Sequence, residues 1–294
     1  MATDDLIITK PPLSFWQIAV RHILSDKLTL VALAVLAIIT VAALLADVIN
    51  AQVLDVDPNK TDLFATFEPP SRKHWLGTDD IGRDQLARLL IGARVSLGIG
   101  ILGAVASIVL SIAFGMTAGY FGSWVDDLIM WFINTLSSIP GFFLLILVGA
   151  LWNITPVTLI LILALVGWTG GARVVRGQVF SVKERDYVLA SRSIGVSELL
   201  LMLRHILPNI LPILIIFTVR DIGILILTES GLSYLGLGVQ PPTASWGNML
   251  SKAQGFFRLG RHLVIFPGLL ITVTVLCFYV VGDGLRDALD PRMK

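Results

Sequence analysis

The chain has 294 residues, of which 55% are hydrophobic and 15% charged, and its mean hydropathy is +0.82. That balance excludes an ordinary water-soluble globular domain and points to a polytopic membrane protein. Lys and Arg number 22 against 21 Asp and Glu, so there is no basic field to hold a nucleic-acid backbone, and nucleic acid is not an expected partner. The one cysteine, Cys277, sits in an apolar run, which leaves no disulfide framework and no cysteine-based metal site.

A helix needs about 20 mostly apolar residues to cross a hydrocarbon layer of about 30 Å. On that measure, residues 1–27 form an N-terminal segment and 28–49 the first span. The uncharged run Leu28 to Ala46 exceeds the roughly 7–15 apolar residues of a signal peptide, so it is expected to be retained. Residues 50–94 form a connecting loop ending in the block HWLGTDDIGRDQLARLLIGARVSL, His74 to Leu97. Thr78 or Asp79 can cap a helix there, and Asp84 with Arg88 stands at i, i+4.

Residues 95–282 read as a five-helix core. Its first helix carries small residues at every fourth position, Gly103, Ser107, Ser111, Gly115 and Gly119, with a second row at Gly92, Ser96, Gly100 and Ala104. Such rows let backbones approach closely, and intramolecular packing around a central helix is the expected use. Leu128 to Ala172 is an uncharged stretch of 45 residues, or about 67 Å as helix. It therefore holds two crossings, with a turn at Trp152-Asn153-Ile154-Thr155-Pro156.

The 173–206 segment alternates apolar and charged residues at helical spacing and is broken at Gly195, a helix-turn-helix pattern. Such a pair fits either the lipid surface or a groove on a soluble partner. In the next span, thirteen Leu, Ile, Val and Phe between Pro208 and Thr228 contribute roughly −4 to −8 kcal/mol of insertion energy, against about 5 to 7 for two central charges. Arg220 and Asp221 should therefore face protein or water. Gly231 to Ser251 is uncharged but rich in Gly and Pro, a loop or re-entrant element. Leu263 to Gly282 is the last span, followed by a tail at 283–294.

With the amino end in the cytoplasm, twelve Lys and Arg lie inside, including Lys10, Arg292 and Lys294, against nine outside, a preference for both termini inside. No pair of the histidines His22, His74, His205 and His262 has metal-ligand spacing. No G-x-x-x-x-G-K-[ST] phosphate loop occurs, so nucleotide is not expected on this chain.

Four blocks in order, HWLGTDDIGRDQLARLLIGARVSL, YVLASRSIG with ILP at Ile206 to Pro208, ESGLSYLGLGVQPPTASWGNML from Glu229 and GDGLRDALDPR from Gly282, resemble the inner-membrane permease subunits of ABC importers. The branch is the dipeptide/oligopeptide, DppC/OppC-like one. The resemblance implies an all-α, six-span type I importer permease in a prokaryotic cell membrane, with no enzymatic activity and no cofactor of its own.

It also implies a second permease subunit, two ATPase subunits holding ATP and Mg, and an extracytoplasmic substrate-binding protein. The cargo implied is a dipeptide or oligopeptide; nickel complexes, opines or glutathione are the alternatives, and a stand-alone secondary carrier is the rival from another class. The 173–206 segment becomes the loop coupled to the ATPases, through Tyr187, Leu189, Ala190, Ser191, Gly195, Arg204, His205 and Pro208.

Leu189 stands where the family has Glu, Trp131 where it has Arg, and Asn134 where it has Asp, while Gly195, Pro208 and Pro140 match. Arg220, Asp221, Glu229 and Asn134 are the candidates for the translocation path or gate. Thr78, Asp79, Gly82, Arg83, Asp84 and Arg88 form an extracytoplasmic structural motif.

Overall fold

The computed structural model describes residues 15–152, 154–251 and 253–289. Asn153 of the expected turn, and Lys10, Arg292 and Lys294 of the charge balance, lie outside the described residues. The elements are α1 (Phe15–Ser25), α2 (Lys27–Leu44), followed by short helical turns at Ala46–Val48 and Ile49–Val53, then α3 (Gln85–Phe121), α4 (Ser123–Ser137), α5 (Gly141–Leu151), α6 (Pro156–Lys183), α7 (Asp186–Ser193), α8 (Glu198–Tyr234), α9 (Trp246–Leu250), α10 (Ala253–Phe256) and α11 (His262–Leu289). Among the described residues α2, α3, α6, α8 and α11 are long and apolar enough to cross a membrane, and α4 with α5, bent by 68° at their break, make the sixth span.

The bend follows from Pro140, which stands at the N-cap of α5. Proline disfavours helical geometry in the residue before it and donates no N–H to the preceding turn. The turn before α6 forms as its sequence indicates: Thr155 accepts from the Thr158 backbone, Thr158 reciprocates, and Pro156 takes the first helical position.

Four expected boundaries move. The capped helix and the second span are one helix, α3, of 37 residues, about 55 Å long. The segment expected to couple leaves its helix after Lys183 rather than at 173, because α6 continues while Arg173 and Arg176 are tied to α4. The second helix of the helix-turn-helix is not separate: it runs into the span as α8, through a π-helical turn at Leu201–Ile206. Pro208 and Pro212 lack the N–H of the regular i→i−4 ladder, and one turn of wider pairing absorbs the deficit. Finally α11 continues to Leu289, so most of the expected tail is helical.

α3 is the centre of the bundle. Along one face, Ser111 donates to the Trp168 carbonyl at 2.8 Å, and a Cβ on Gly119 would lie 2.8 Å from that of Val179 on α6. Along the other face, a Cβ on Gly100 would lie 2.6 Å from Ile226 Cγ1 on α8. Ser111, Gly115 and Gly119 thus pack on α6, whereas Gly100 and Gly103 pack on α8. Apolar association alone does not hold helices together in lipid, where close van der Waals fit does.

The two ends of the bundle are tied separately. At one end Asp26 caps α2, accepting from Leu28 N at 3.1 Å and Thr29 N at 3.2 Å. The Thr29 hydroxyl also bonds Asp26 and holds its carboxyl below the usual carboxylate range, while Thr29 itself packs on Gly284 of α11. At the other end Arg94 of α3 reaches Asp47 at 2.8 Å and the Ala43 carbonyl at 3.0 Å.

This packing predicts an asymmetry between neighbouring glycines of α3. Gly100→Leu should lower the thermal unfolding midpoint of the detergent-solubilised chain, at an overpacking cost of about 1–3 kcal/mol. Gly98→Leu should leave it nearly unchanged, since nothing lies within 4 Å of that position. Equal effects would contradict the close approach of α3 and α8.

Candidate functional site

Glu229, near the end of α8, has no solvent-exposed surface. Its carboxylate accepts from Ser96 of α3 at 3.1 Å and from Ser233 of its own helix at 2.7 Å. Ser96 in turn accepts from the Trp246 backbone N–H at 3.1 Å, and Ser233 from Val239 N at 3.0 Å. A carboxylate withdrawn from water needs such donors, and here they come from α3, α8 and the loop that returns to the bundle. That loop packs back on the bundle: Ser245 and Asn248 form a capping box for α9, and the fully buried Trp246 donates its indole N–H to the Leu89 carbonyl at 3.1 Å. Glu229 therefore anchors the loop from inside a closed network.

The 74–88 block is a knot of the same kind. Asp84, not Thr78 or Asp79, is the N-cap of α3, accepting from Ala87 N at 2.8 Å. Its other oxygen meets His74 Nδ1 at 2.9 Å, so the expected Asp84–Arg88 pair does not form. Arg88 instead faces Asp79 at 3.7 Å, and Arg83 holds the same carboxylate at 2.7 Å. The reason is the turn: Gly82 has φ +77°, and Asp79 accepts from the backbone of Ile81 and Arg83 at 3.0 and 2.9 Å, which points its carboxylate inward. Thr78 bonds the Ala65 carbonyl and accepts from Glu68 N at 2.9 Å, while His262 at the start of α11 reaches the Thr78 carbonyl at 3.0 Å.

At the opposite end, α7 and the turn at Gly195 project from between α6 and α8. Val188 is buried in a cluster with Val179, Val182, Met202 and Ile206, which fixes α7 to both long helices. Gly195 has φ +85°, a conformation that L side chains adopt only under strain. Ser191 bonds back to the Tyr187 carbonyl at 2.8 Å. Tyr187, Leu189 and Ala190 are exposed, as are Arg204 and Pro208, with His205 half-buried. Exposed Leu189, Ile194, Leu199, Leu200 and Leu203 add a concentration of apolar surface. Apolar surface of that kind on an otherwise charged turn is available to the lipid surface or to a partner.

The charges within the spans separate. Arg220 pairs with Asp283 of α11, whereas Asp221 turns toward α5 and α6 and borders a groove with Phe142, Gly167 and Gly170. Asn134 accepts from Arg173 at 3.2 Å, and Asp126 holds Arg176 at 2.5 Å, so α4 is fastened to α6 by side chains one and two turns apart.

The sequence matches the family described as binding-protein-dependent transport system inner membrane component over residues 111–294, and the N-terminal TM domain of oligopeptide transport permease C over 14–70. The chain belongs to this permease family. Among similar proteins, the oligopeptide transport system permease protein OppC of Bacillus subtilis (strain 168) is 37% identical over 293 residues, covering 100% of this chain and 95% of that protein. The dipeptide transport system permease protein DppC of the same organism is 35% identical over 98% of this chain and 89% of its own length. The glutathione transport system permease protein GsiD of Pectobacterium atrosepticum is 40% identical over 77% of this chain and 75% of its own.

Several elements of the permease were not legible as pairs. Asp126 with Arg176, His74 with Asp84, and Ser96 with Glu229 are 50, 10 and 133 positions apart, and no local spacing rule links them. The row Gly92, Ser96, Gly100 does put Ser96 on the face toward α8, which was the available signal for the last. Replacing Glu229 by Leu should strand the hydroxyls of Ser96 and Ser233 at about 1–3 kcal/mol per unsatisfied group. Limited proteolysis of the detergent-solubilised chain should then cut within 235–251, where the parent resists; identical digestion patterns would contradict the anchoring role.

Proposed function

We propose that this chain is one half of the translocation path of an ATP-driven importer for short peptides. A second, related six-span permease completes the path, two ATPase subunits holding ATP and Mg attach at the α7 end, and an extracytoplasmic binding protein delivers cargo to the end carrying the 74–88 knot. The observation that carries this reading is the similarity, over the full chain, to oligopeptide and dipeptide permeases. Similarity to glutathione permeases fits the same cargo class, since glutathione is itself a small peptide. The excess of Lys and Arg around α7 and the termini, twelve against nine, favours the cytoplasmic side for that end.

The geometry supplies a lever. α7 is clamped between α6 and α8 through Val188, and α8 is helical from Glu198 to Tyr234. Movement of the ATPase groove that grips α7 passes along α8 as a rigid body to Glu229 and the re-entrant loop, and along α6 to the bent α4–α5 pair. Rocking of this kind opens a path on alternate sides. Leu189, in place of the family Glu, makes the contact with the ATPase apolar at that position.

Gly195 is the position to test, because its φ of +85° cannot be reached by proline, which is fixed near −65°. In proteoliposomes holding the whole complex, Gly195→Pro should cut peptide uptake by at least about tenfold, equivalent to about 1.4 kcal/mol in the barrier. ATP hydrolysis and the amount of chain in the membrane should persist. Undiminished uptake would sink the coupling assignment.

A further inference from the structure

Arg220 and Asp221 are neighbours on α8 and so point about 100° apart. Arg220 is committed to Asp283. Asp221, among the described residues, has no hydrogen-bonding or ion-pair partner. It opens instead onto a groove of about 330 Å³ between α5, α6 and α8, walled by Phe142, Val166, Gly167, Gly170, Phe217 and Thr228. That volume lies within the roughly 300–1,000 Å³ of small-molecule sites.

We propose that this groove receives the free ammonium group of a peptide in transit, with Asp221 as its counter-charge; the inference rests on the importer reading above. A carboxylate against apolar walls inside a membrane is costly until a cation meets it. The nearby cations of this chain are already used: Arg220 by Asp283, Arg173 by Asn134 and Ser137, and Arg176 by Asp126. Among the described residues no nearby cation is left for Asp221, and every peptide with an unblocked amino terminus carries one.

Two further features fit a passage for cargo. Asp221, Ile224, Leu225 and Thr228 all line the groove, and their i, i+3, i+4, i+7 spacing makes one continuous face of α8. The Thr228 hydroxyl donates to the Ile224 carbonyl at 2.8 Å, which leaves its lone pairs to accept from an ammonium. Opposite, a Cβ on Gly170 would meet nothing within 4 Å, whereas one on Gly171 would collide with Ser111. Packing demands the second glycine and not the first, so Gly170 keeps the groove open.

The test uses the complete complex in proteoliposomes with tri-alanine as probe. Asp221→Asn should raise the KM for uptake about tenfold or more, the loss expected for a hydrogen bond to a charged group. Gly170→Leu, which fills the groove, should abolish uptake while the subunits still co-elute. For charge, Gly170→Cys in a Cys277→Ser background should react faster with 2-aminoethyl than with 2-sulfonatoethyl methanethiosulfonate, and adding Asp221→Asn should remove that preference. Normal uptake by both Asp221→Asn and Gly170→Leu, or equal reaction rates of the two reagents with Asp221 intact, would overturn the proposal. Loss of the second permease from the Asp221→Asn complex would also overturn it, by making the groove an assembly contact. Absence of tri-alanine uptake by the parent complex would instead overturn the importer reading itself.

Discussion

The close approach of helix backbones along α3 is the constraint on which the rest of the structure depends. Lipid offers apolar side chains as good an environment as another helix does, so association must come from fit. Small residues on two faces of α3 admit α6 at Ser111 and Gly119, and α8 at Gly100. Once both helices are seated, Ser96 faces Glu229, and the loop that carries Trp246 can dock on the pair. At the other end the same two helices emerge side by side and hold α7 between them. The clamp on α7 and the anchor of the 235–251 loop are thus built on opposite ends of the same three-helix contact.

Much of this architecture was legible in the sequence because bilayer thickness and periodicity act locally. The apolar run from Leu28, the Thr155-Pro156 turn, the two small-residue rows of α3 and the glycine turn at 195 all translate directly into structure. Boundaries were less legible wherever a charged stretch is helical. Charge suggested that 74–94 and 173–183 lie outside the spans, yet both are continuous with them in whole or part, since a membrane helix extends into the headgroup region as long as its carboxylates and guanidinium groups find partners. Asp126 and Asn134 supply those partners for Arg176 and Arg173, and no spacing rule reports a contact between helices.

The choice of cap at the start of α3 has a similar cause. Thr78, Asp79 and Asp84 are all competent caps, and which one serves depends on how the preceding turn folds. Gly82 at φ +77° folds Asp79 back onto Arg83 and Arg88, which leaves Asp84 at the helix start with His74 against its second oxygen. The charged residues of the block consequently act on one another, joining the 58–84 segment to the first turns of α3 and α11. Residues within the spans obey the same economy: Arg220 satisfies Asp283, and the resulting isolation of Asp221 is a consequence of the helical angle between adjacent positions.

In the proposed importer this chain works as one permease among partners. Affinity purification of the chain from its native membrane in mild detergent, followed by mass spectrometry of what remains bound, tests that most directly. Two ATPase subunits and a second six-span permease in the purified material are the predicted result. Recovery of the chain alone or self-associated, under conditions in which a control ABC complex stays intact, would contradict it.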